Sequence, residues 1–463
     1  MAVHPATDTI AAVATAPGTG GIGIIRISGP DALSLLHRIF LPHKPHKQLI
    51  SHRLYYGTVT NTSGQVLDEA LAVYMRAPHT YTCEDVVELH CHGSYVVLQE
   101  VLRTVFEQGA RPAEPGEFTQ RAFLGGRIDL TRAEAVVDLL QAQTERSAQL
   151  AANQLQGALF AQIEAIRNQL VQILARLEVA IDFPDDDVEI VQHDQVMAQL
   201  QATIIEPLAQ LLAMADQGRI VREGIKVVLA GQPNVGKSSL LNALLQEERA
   251  LVTSVPGTTR DTIEERFVIR GIPVYLIDTA GIRKHEDAVE ALGIERARQK
   301  MQQADLVLFL VDAKAGLSMA ERELYQSIRN KAHIVVINKS DLVDTASIDH
   351  LVKAFPGVPV VSISAKHQRG IQDLQESIYR CVIGDRAAFC EQMTCAPNTR
   401  HRAILAKTLR ACRSLASALD NGASVDLLAV EVQTALDHLG DITGLTTPDE
   451  VLDSVFRQFC IGK

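Results

Sequence analysis

The run Gly231-Gln-Pro-Asn-Val-Gly236-Lys237-Ser238-Ser239 constrains this chain more than any other stretch. It carries GxxxxGK[ST] spacing, follows the apolar run IKVVLA and precedes SLLNALL, so its residues dictate a strand, a tight loop and a helix in that order. Glycines there let successive backbone N–H groups curl round phosphate oxygens. Lys237 is spaced to reach the outer phosphates, and the Ser238 hydroxyl is a Mg²⁺ ligand of the right hardness. From Ile225 to about Cys381, IKVVLA, VYLID, LVLFLVD, HIVVIN and PVVSIS alternate with helical segments, the texture of a doubly wound parallel sheet.

Three further motifs follow in the order that a guanine nucleotide site needs. Asp278-Thr279-Ala280-Gly281 closes VYLID, which offers a carboxylate toward Mg²⁺ and a backbone N–H toward the γ-phosphate. Asn338-Lys339-Ser340-Asp341 closes HIVVIN at the sheet edge where α/β folds bind ligands. Asp341 can accept from both the ring N–H and the 2-amino group of guanine, a pair that adenine does not offer, so GTP and GDP are expected rather than ATP. Ser364-Ala365-Lys366 fits the remaining guanine loop. Between the first loop and Asp278, the segment Pro256-Gly257-Thr258-Thr259-Arg260-Asp261 occupies the position of the γ-phosphate sensor, with Thr259 as second Mg²⁺ ligand and Thr253, Ser254 and Val255 before it expected at the nucleotide; the same residues also suit a plain Gly/Thr turn. Ile282 stands where Ras-like enzymes orient the attacking water with Gln, so hydrolysis needs another group. Glu290 is the nearest strong candidate, and its spacing alone suits a solvated helix face equally.

Outside that region the 463 residues leave room for two to four domains. The first 120 or so show short apolar runs between turn residues: Ile22 to Ile27, RLYYGTV, ALAVYM and DVVELH. Beyond Leu130, Gly and Pro become rare, and Ile163, Ile166, Leu170, Ile173 and Leu177 mark one face of an amphipathic helix. DFPDDD interrupts it at Pro184, and a second periodic stretch from Val196 to Leu212 leads to Gly218. Helical spacing returns after Asn398 and continues to Phe459. Those C-terminal helices have apolar faces to cover, which predicts that they pack on the 123–217 helices and that the nucleotide domain is an insertion. The expected fold is a multidomain α/β plus all-α chain divided at 1–121, 122–217, 218–383 and 384–463.

Net charge is −11, so RNA is expected at a local patch rather than along the whole chain. Seven scattered Cys with no CxxC pair argue for reduced thiols, and no apolar run approaches a membrane span; a cytoplasmic protein is expected. His90, Cys91 and His92 alternate as strand residues do, so they do not converge on a metal.

The full chain resembles the tRNA-modification GTPase family called MnmE or TrmE. The resemblance rests on DTIAAVATAPGTGGIGIIRISGP, YTCEDVVELHCHG, RPAEPGEFTQRAFLGGRIDLTRAEAV, IDFPDDDVEI, the nucleotide motifs and the ending FCIGK. It implies an N-terminal folate-binding and dimerisation domain, a discontinuous helical domain and an inserted Ras-like G domain. It further implies addition of a carboxymethylaminomethyl group to the wobble uridine of certain tRNAs by a homodimer working with the flavoprotein MnmG (GidA) as a heterotetramer. For hydrolysis it implies K⁺ activation when two G domains meet, with Asn234, Thr253, Val255 and Thr258 as K⁺ ligands and Glu290 positioning water. For 5-formyltetrahydrofolate or a related folate it implies Arg26, Glu88, Arg127 and Lys463; by themselves these read as surface charges. Cys460 reads either as a reactive thiol near the folate or as a small apolar residue on the last helix. Cys91 and Ser94 depart from the Gly-rich run usual in the family. A regulatory GTPase of ribosome assembly would share the nucleotide motifs but not FCIGK or the N-terminal segment.

Overall fold

A computed structural model describes residues 8–44, 47–183, 193–246, 264–278, 304–384 and 392–463; at Gln246, Glu264 and Asp278 the backbone alone is described. The chain resolves into two compact units, one from Met1–Leu140, Gln154–Leu208 and Ile404–Lys463, the other from Gln141–Asn153 and Ala209–Ala403.

The first unit contains a seven-stranded sheet in the order β3-β4-β5-β6-β2-β1-β7, built from β1 (Ile10–Val13), β2 (Gly20–Ser28), β3 (Phe40–Pro42), β4 (Arg53–Thr60), β5 (Val66–Met75), β6 (Val86–Gly93) and β7 (Arg111–Pro112). All four apolar runs singled out in the sequence are strands. Their alternation buries one face: Ile25, Ile27, Tyr55, Ala72, Val87, Leu89 and Cys91 pack with Leu35, Leu36, Leu98, Val101 and Val105 of helices α1 (Ala32–Ile39) and α2 (Tyr95–Glu107). The opposite face carries Leu54 and Tyr56 on β4, Leu71 on β5, Glu88 and His90 on β6 and Arg26 on β2, in register Tyr56↔Leu71↔His90 and Arg26↔Glu88.

Helices α3 (Glu117–Leu124), α4 (Leu130–Gln141), α5 (Glu145–Leu155) and α6 (Ala158–Asp182) follow. Ile163, Ile166, Leu170, Ile173 and Leu177 are all buried, as their spacing required. Further on come α7 (His193–Leu200), a π-helical turn at Gln201–Ile205 and α8 (Glu206–Glu223). Gly218 does not end α8; a Cβ there would lie 2.7 Å from the Ala396 Cβ, so close packing requires the glycine, and the helix stops only at Gly224, whose φ is +74°. The C-terminal region forms α13 (Thr399–Asp420), α14 (Val425–Thr443) and α15 (Asp449–Phe456), numbered after α9–α12 of the second unit; α14 packs along α6.

The second unit holds β8 (Ile225–Ala230), β9 (Glu264–Ile269), β10 (Ile272–Asp278), β11 (Leu306–Asp312), β12 (His333–Asn338) and β13 (Val360–Ser362) in the order β13-β12-β11-β8-β10-β9. Every pairing is parallel except β9 with β10. The central strands are apolar without alternation because both of their faces are covered, with α9 (Lys237–Gln246), α10 (Met319–Ile328), α11 (Thr345–Val352) and α12 (Ile371–Ile383) among the layers. Residues 141–153 belong to this unit through Leu150 in its core, a Tyr275 hydroxyl bond to Gln143 Oε1 at 2.8 Å and an Arg146 bond to the Met393 carbonyl at 3.0 Å. Spacing within the sequence carried no sign of that assignment.

Candidate functional site

Strand β8 lies between β10 and β11, where the strand order reverses and an open α/β sheet forms its ligand crevice. The loop 231–236 leaves the carboxyl end of β8 there and enters α9 at Lys237. Its curl needs left-handed backbone: φ is +156° at Gly231, +63° at Asn234 and +100° at Gly236. A Cβ on Gly231 would lie 2.7 Å from the Leu310 carbonyl oxygen, and one on Gly236 would overlap Asn338 Nδ2. The glycines are therefore fixed by conformation and by contact together.

Asn338 is the keystone between the 231–239 and 364–366 loops. Only 2% exposed, it donates from Nδ2 to the Val235 carbonyl at 2.8 Å, and its Oδ1 accepts from Ala365 N–H at 3.1 Å. One buried amide thus ties the phosphate loop to the Ser364–Lys366 loop. Beside it Lys339, itself left-handed at φ +62°, donates from Nζ to the Asn234 carbonyl at 2.8 Å and to Asp312 Oδ2 at 2.6 Å. Burial pushes the Asp312 carboxyl up, but the Lys339 hydrogen bond and two backbone N–H groups outweigh it and hold the pKa below the usual value. Asp312 is a residue that motif reading missed; its signal was a second acidic strand end, closing LVLFLVD beside HIVVIN.

Asp341 follows on a short 3₁₀ turn, Ser340–Leu342. The Ser364 hydroxyl donates to its Oδ1 at 2.6 Å, and His367 Nε2 stands 3.6 Å from its Oδ2. The Ser364 bond is the main cause of a pKa below the ordinary aspartate range. Asp341 is therefore ionised at neutral pH and acceptor-only, the form that two guanine N–H donors need. Ser238 and Ser239 are exposed in the first turn of α9, Asn234 is exposed on the loop, and Lys237 Nζ donates to the carbonyls of Gly231 and Gln232, each at 2.9 Å. Oxygen donors on a helix N-terminus suit a hard cation and phosphate. Thr253, Ser254, Val255, Pro256, Gly257, Thr258, Thr259, Thr279, Ala280, Gly281, Ile282 and Glu290 lie outside the described residues, as does the side chain of Asp278.

A second cluster forms on the outer face of the first unit's sheet. Arg26 Nε pairs with Glu88 Oε1 at 2.9 Å across directly opposed strands, and His90 Nε2 lies 3.3 Å from Glu88 Oε2. The Arg26 guanidinium stands 5.4 Å from the Tyr81 ring centre and 5.8 Å from that of Phe118. Arg127, distant in sequence, stands 4.8 Å from the same Tyr81 ring and donates to the Tyr81 carbonyl at 3.0 Å. The Tyr81 hydroxyl and Thr119 Oγ1 are 3.0 Å apart, which anchors the ring. Two of the four candidate folate residues, Arg26 and Arg127, thus gather round Tyr81, with Glu88 paired to Arg26; Tyr81 was not itself among the candidate residues. The C-terminal tail reaches the neighbouring edge, since Gly462, at φ +93°, packs against the Val13 carbonyl just before Lys463. Cys460 is exposed and lies beyond the end of α15 rather than on it. Cys91 faces the core while His90 and His92 face the other way, and burial pushes its thiol up to about 12.

Below this cluster Arg121, 6% exposed, bridges Asp8, Glu84 and Glu117, and Arg111 clasps Asp8 and Glu117 as well. Burial raises the Glu117 pKa, and the Arg111 and Arg121 bonds more than offset it, leaving it below its ordinary value.

Comparison with known proteins reaches both units. The pattern of the MnmE helical domain matches residues 130–460, and that of the GTP-binding protein TrmE N-terminus matches residues 9–127. The tRNA modification GTPase MnmE of Desulfotalea psychrophila is 52% identical over 460 residues, covering 98% of this chain and 98% of its own. That of Geobacter sulfurreducens is 46% identical over 458 residues, covering 98% and 99%. Among solved structures, an Aquifex aeolicus Era variant bound to GDP and AlF₄⁻ is 29% identical, covers 40% of this chain and 66% of its own, and has a TM-score of 0.28, too low an overlap to bear on the site.

Proposed function

The chain belongs to the MnmE family of tRNA modification GTPases, and from that premise we propose that it is a K⁺-activated GTPase that installs the carboxymethylaminomethyl group at C5 of the wobble uridine, coupling hydrolysis to meeting of the G domains in a homodimer. The observation that carries the nucleotide half of this reading is the buried Asn338 amide, which joins the phosphate loop to the Ser364–Lys366 loop beside an ionised Asp341. In this reading Asp341 accepts from guanine, Asn338 and Lys339 keep the loops in register, and Lys237 holds a positive charge among the phosphate oxygens. Residues 218–383 serve as G domain, inserted between helical parts 122–217 and 384–463 after an N-terminal domain 1–121, although 141–153, 209–217 and 392–403 of those helical parts belong to the compact unit of the nucleotide sheet.

The exposed oxygens of Ser238 and Asn234 fit hard cations, so Ser238 with Thr259 would hold Mg²⁺, and Asn234 with Thr253, Val255 and Thr258 would hold K⁺. Those cations would supply positive charge to offset what builds on the phosphates during hydrolysis. Glu290 orients the attacking water. At the second cluster the donor set fits a folate: Glu88 retains lone pairs toward a pterin N–H edge, and Arg26, Arg127 and Lys463 favour an anionic tail. Leu54, Tyr56 and Leu71 stand exposed on the same sheet face, more than a third exposed each, which supports a second copy as their cover. MnmG is the flavoprotein partner in this reading, in a heterotetramer, and the cytoplasm is the compartment.

Steady-state GTP turnover in K⁺ against Na⁺ at matched ionic strength tests the mechanism. Wild type should be faster in K⁺, and Asn234→Ala should lose most of that difference; equal wild-type rates in the two salts would sink K⁺ activation. Nucleoside analysis of tRNA from cells lacking the protein tests the substrate, and wobble uridines that remain modified would sink it.

A further inference from the structure

Helix α13 (Thr399–Asp420) is unlike the rest of this acidic chain. Between Gln392 and Leu419 the sequence contains Arg400, Arg402, Lys407, Arg410 and Arg413 and not one Asp or Glu, although the whole chain has 55 acidic residues. Leu405, Leu409, Cys412, Leu415 and Leu419 form the buried face of the helix. Lys407, Arg410 and Arg413 are exposed and recur every three residues, so they wind slowly round one side of the helix at a rise of about 4.5 Å each. Among the described residues none of the three has an ion-pair partner within 4 Å, whereas Arg103, Arg167, Arg270 and Arg380, on other helices and turns, each sit against a carboxylate. Glu431 of α14 is the carboxylate beside them. It accepts from Ser414 at 3.3 Å and pairs with none of the three cations.

Unpaired cations held in a row on a rigid helix are costly by mutual repulsion and gain only when a polyanion lies along them. Two guanidiniums and an ammonium suit phosphate oxygens, since the Arg fork binds them bidentately and Lys as a point charge. We propose that the Lys407–Arg410–Arg413 stripe of α13 is a contact surface for the sugar-phosphate backbone of the tRNA substrate. This rests on the tRNA reading above and adds where on the chain the RNA is held. The stripe supplies sequence-independent affinity; identity of the tRNA is read elsewhere.

The test is binding of a tRNA transcript with an unmodified wobble uridine to the full chain, titrated at several salt concentrations. The triple variant K407Q/R410Q/R413Q should bind roughly tenfold or more weakly near 0.1 M salt, and the steepness of log affinity against log salt should fall by about two to three. A control, R103Q/K353Q/R380Q, removes as many charges from other exposed positions and should stay near wild type. Unchanged affinity and slope in the stripe variant overturn the proposal, as does an equal loss in the control, which would make it a bulk-charge effect. A stripe variant that keeps tRNA but releases phosphatidylglycerol vesicles overturns it in favour of a lipid surface. If the triple variant melts early, R410Q alone is read for a slope change of about one. The tRNA reading itself fails separately, by intact wobble modification in cells lacking the chain.

Discussion

The two candidate sites are built on opposite principles. In the second unit, the candidate nucleotide loops are backbone structures braced by a buried amide: Gly231, Asn234, Gly236 and Lys339 take left-handed conformations, and Asn338 bonds two main-chain groups at once. In the first unit, the Tyr81 cluster is made of side chains standing on an ordinary sheet face, with Arg26 and Glu88 contributed by opposed strands and Arg127 arriving from a loop. A backbone site leaves few residue choices and hence a spaced motif. A side-chain site leaves the spacing free, because the sheet register supplies the proximity.

If that contrast is right, the second unit should be the more brittle. Gly236→Ala should cost the most: φ of +100° strains any Cβ, and that Cβ meets Asn338. Strain of about 1–3 kcal/mol plus overpacking of similar size predicts a loss of GTP affinity on the order of a hundredfold, read by fluorescent-nucleotide titration. An affinity within threefold of wild type would show that the loop adapts and would break the comparison. Next, Asn338→Ala leaves the Val235 carbonyl and the Ala365 N–H without their partner, at about 1–3 kcal/mol each if water does not enter. Roughly ten- to hundredfold weaker GTP binding with a lower melting temperature is expected, and a loss of binding without a change in melting would assign Asn338 to the nucleotide rather than to the brace.

The first unit should yield by smaller steps. Tyr81→Leu removes the ring beneath both guanidiniums, and cation–π contacts at exposed sites are worth about 0.5–1 kcal/mol each. Folate affinity, followed by calorimetry, should fall only several-fold, and Tyr81→Phe should lie near wild type unless the Thr119 bond sets the ring. The smallest effect concerns pH. The Glu117 pKa is depressed in the folded chain, so its contribution to stability is present above the unfolded value and is lost as pH falls through the folded one. Thermal melts should therefore show stability declining below about pH 4, where the unfolded carboxylate titrates, and Glu117→Gln should flatten that decline. Parallel pH profiles for the two proteins would show that the Arg111–Arg121 network does not hold that carboxylate.

The residues of one motif were enough to predict that β8 feeds a phosphate loop and α9, because a strand, a glycine turn and an N-terminal helix follow from local sterics and periodicity. The same held for α6, whose five buried positions are three and four apart. Gly218 and the 141–153 segment were not legible for the converse reason. A glycine that permits close approach to Ala396 looks in sequence like one that ends a helix, and α5, whose buried Ser147, Leu150, Ala151 and Gln154 are at ordinary helical spacing, shows its unit only through the Tyr275–Gln143 and Arg146–Met393 bonds.

The sequence by itself therefore determined local structure: a strand, a glycine loop and a helix from 225 to 246, and an amphipathic helix through Ile163 and Leu177. Only the tertiary structure decided which distant groups meet: Asp312 under Lys339, Asn338 between two loops, Arg26 and Arg127 about one tyrosine ring. Backbone conformation is governed by neighbours in the chain and can be read there. Long-range side-chain contacts depend on strand register and loop return, which no local pattern encodes.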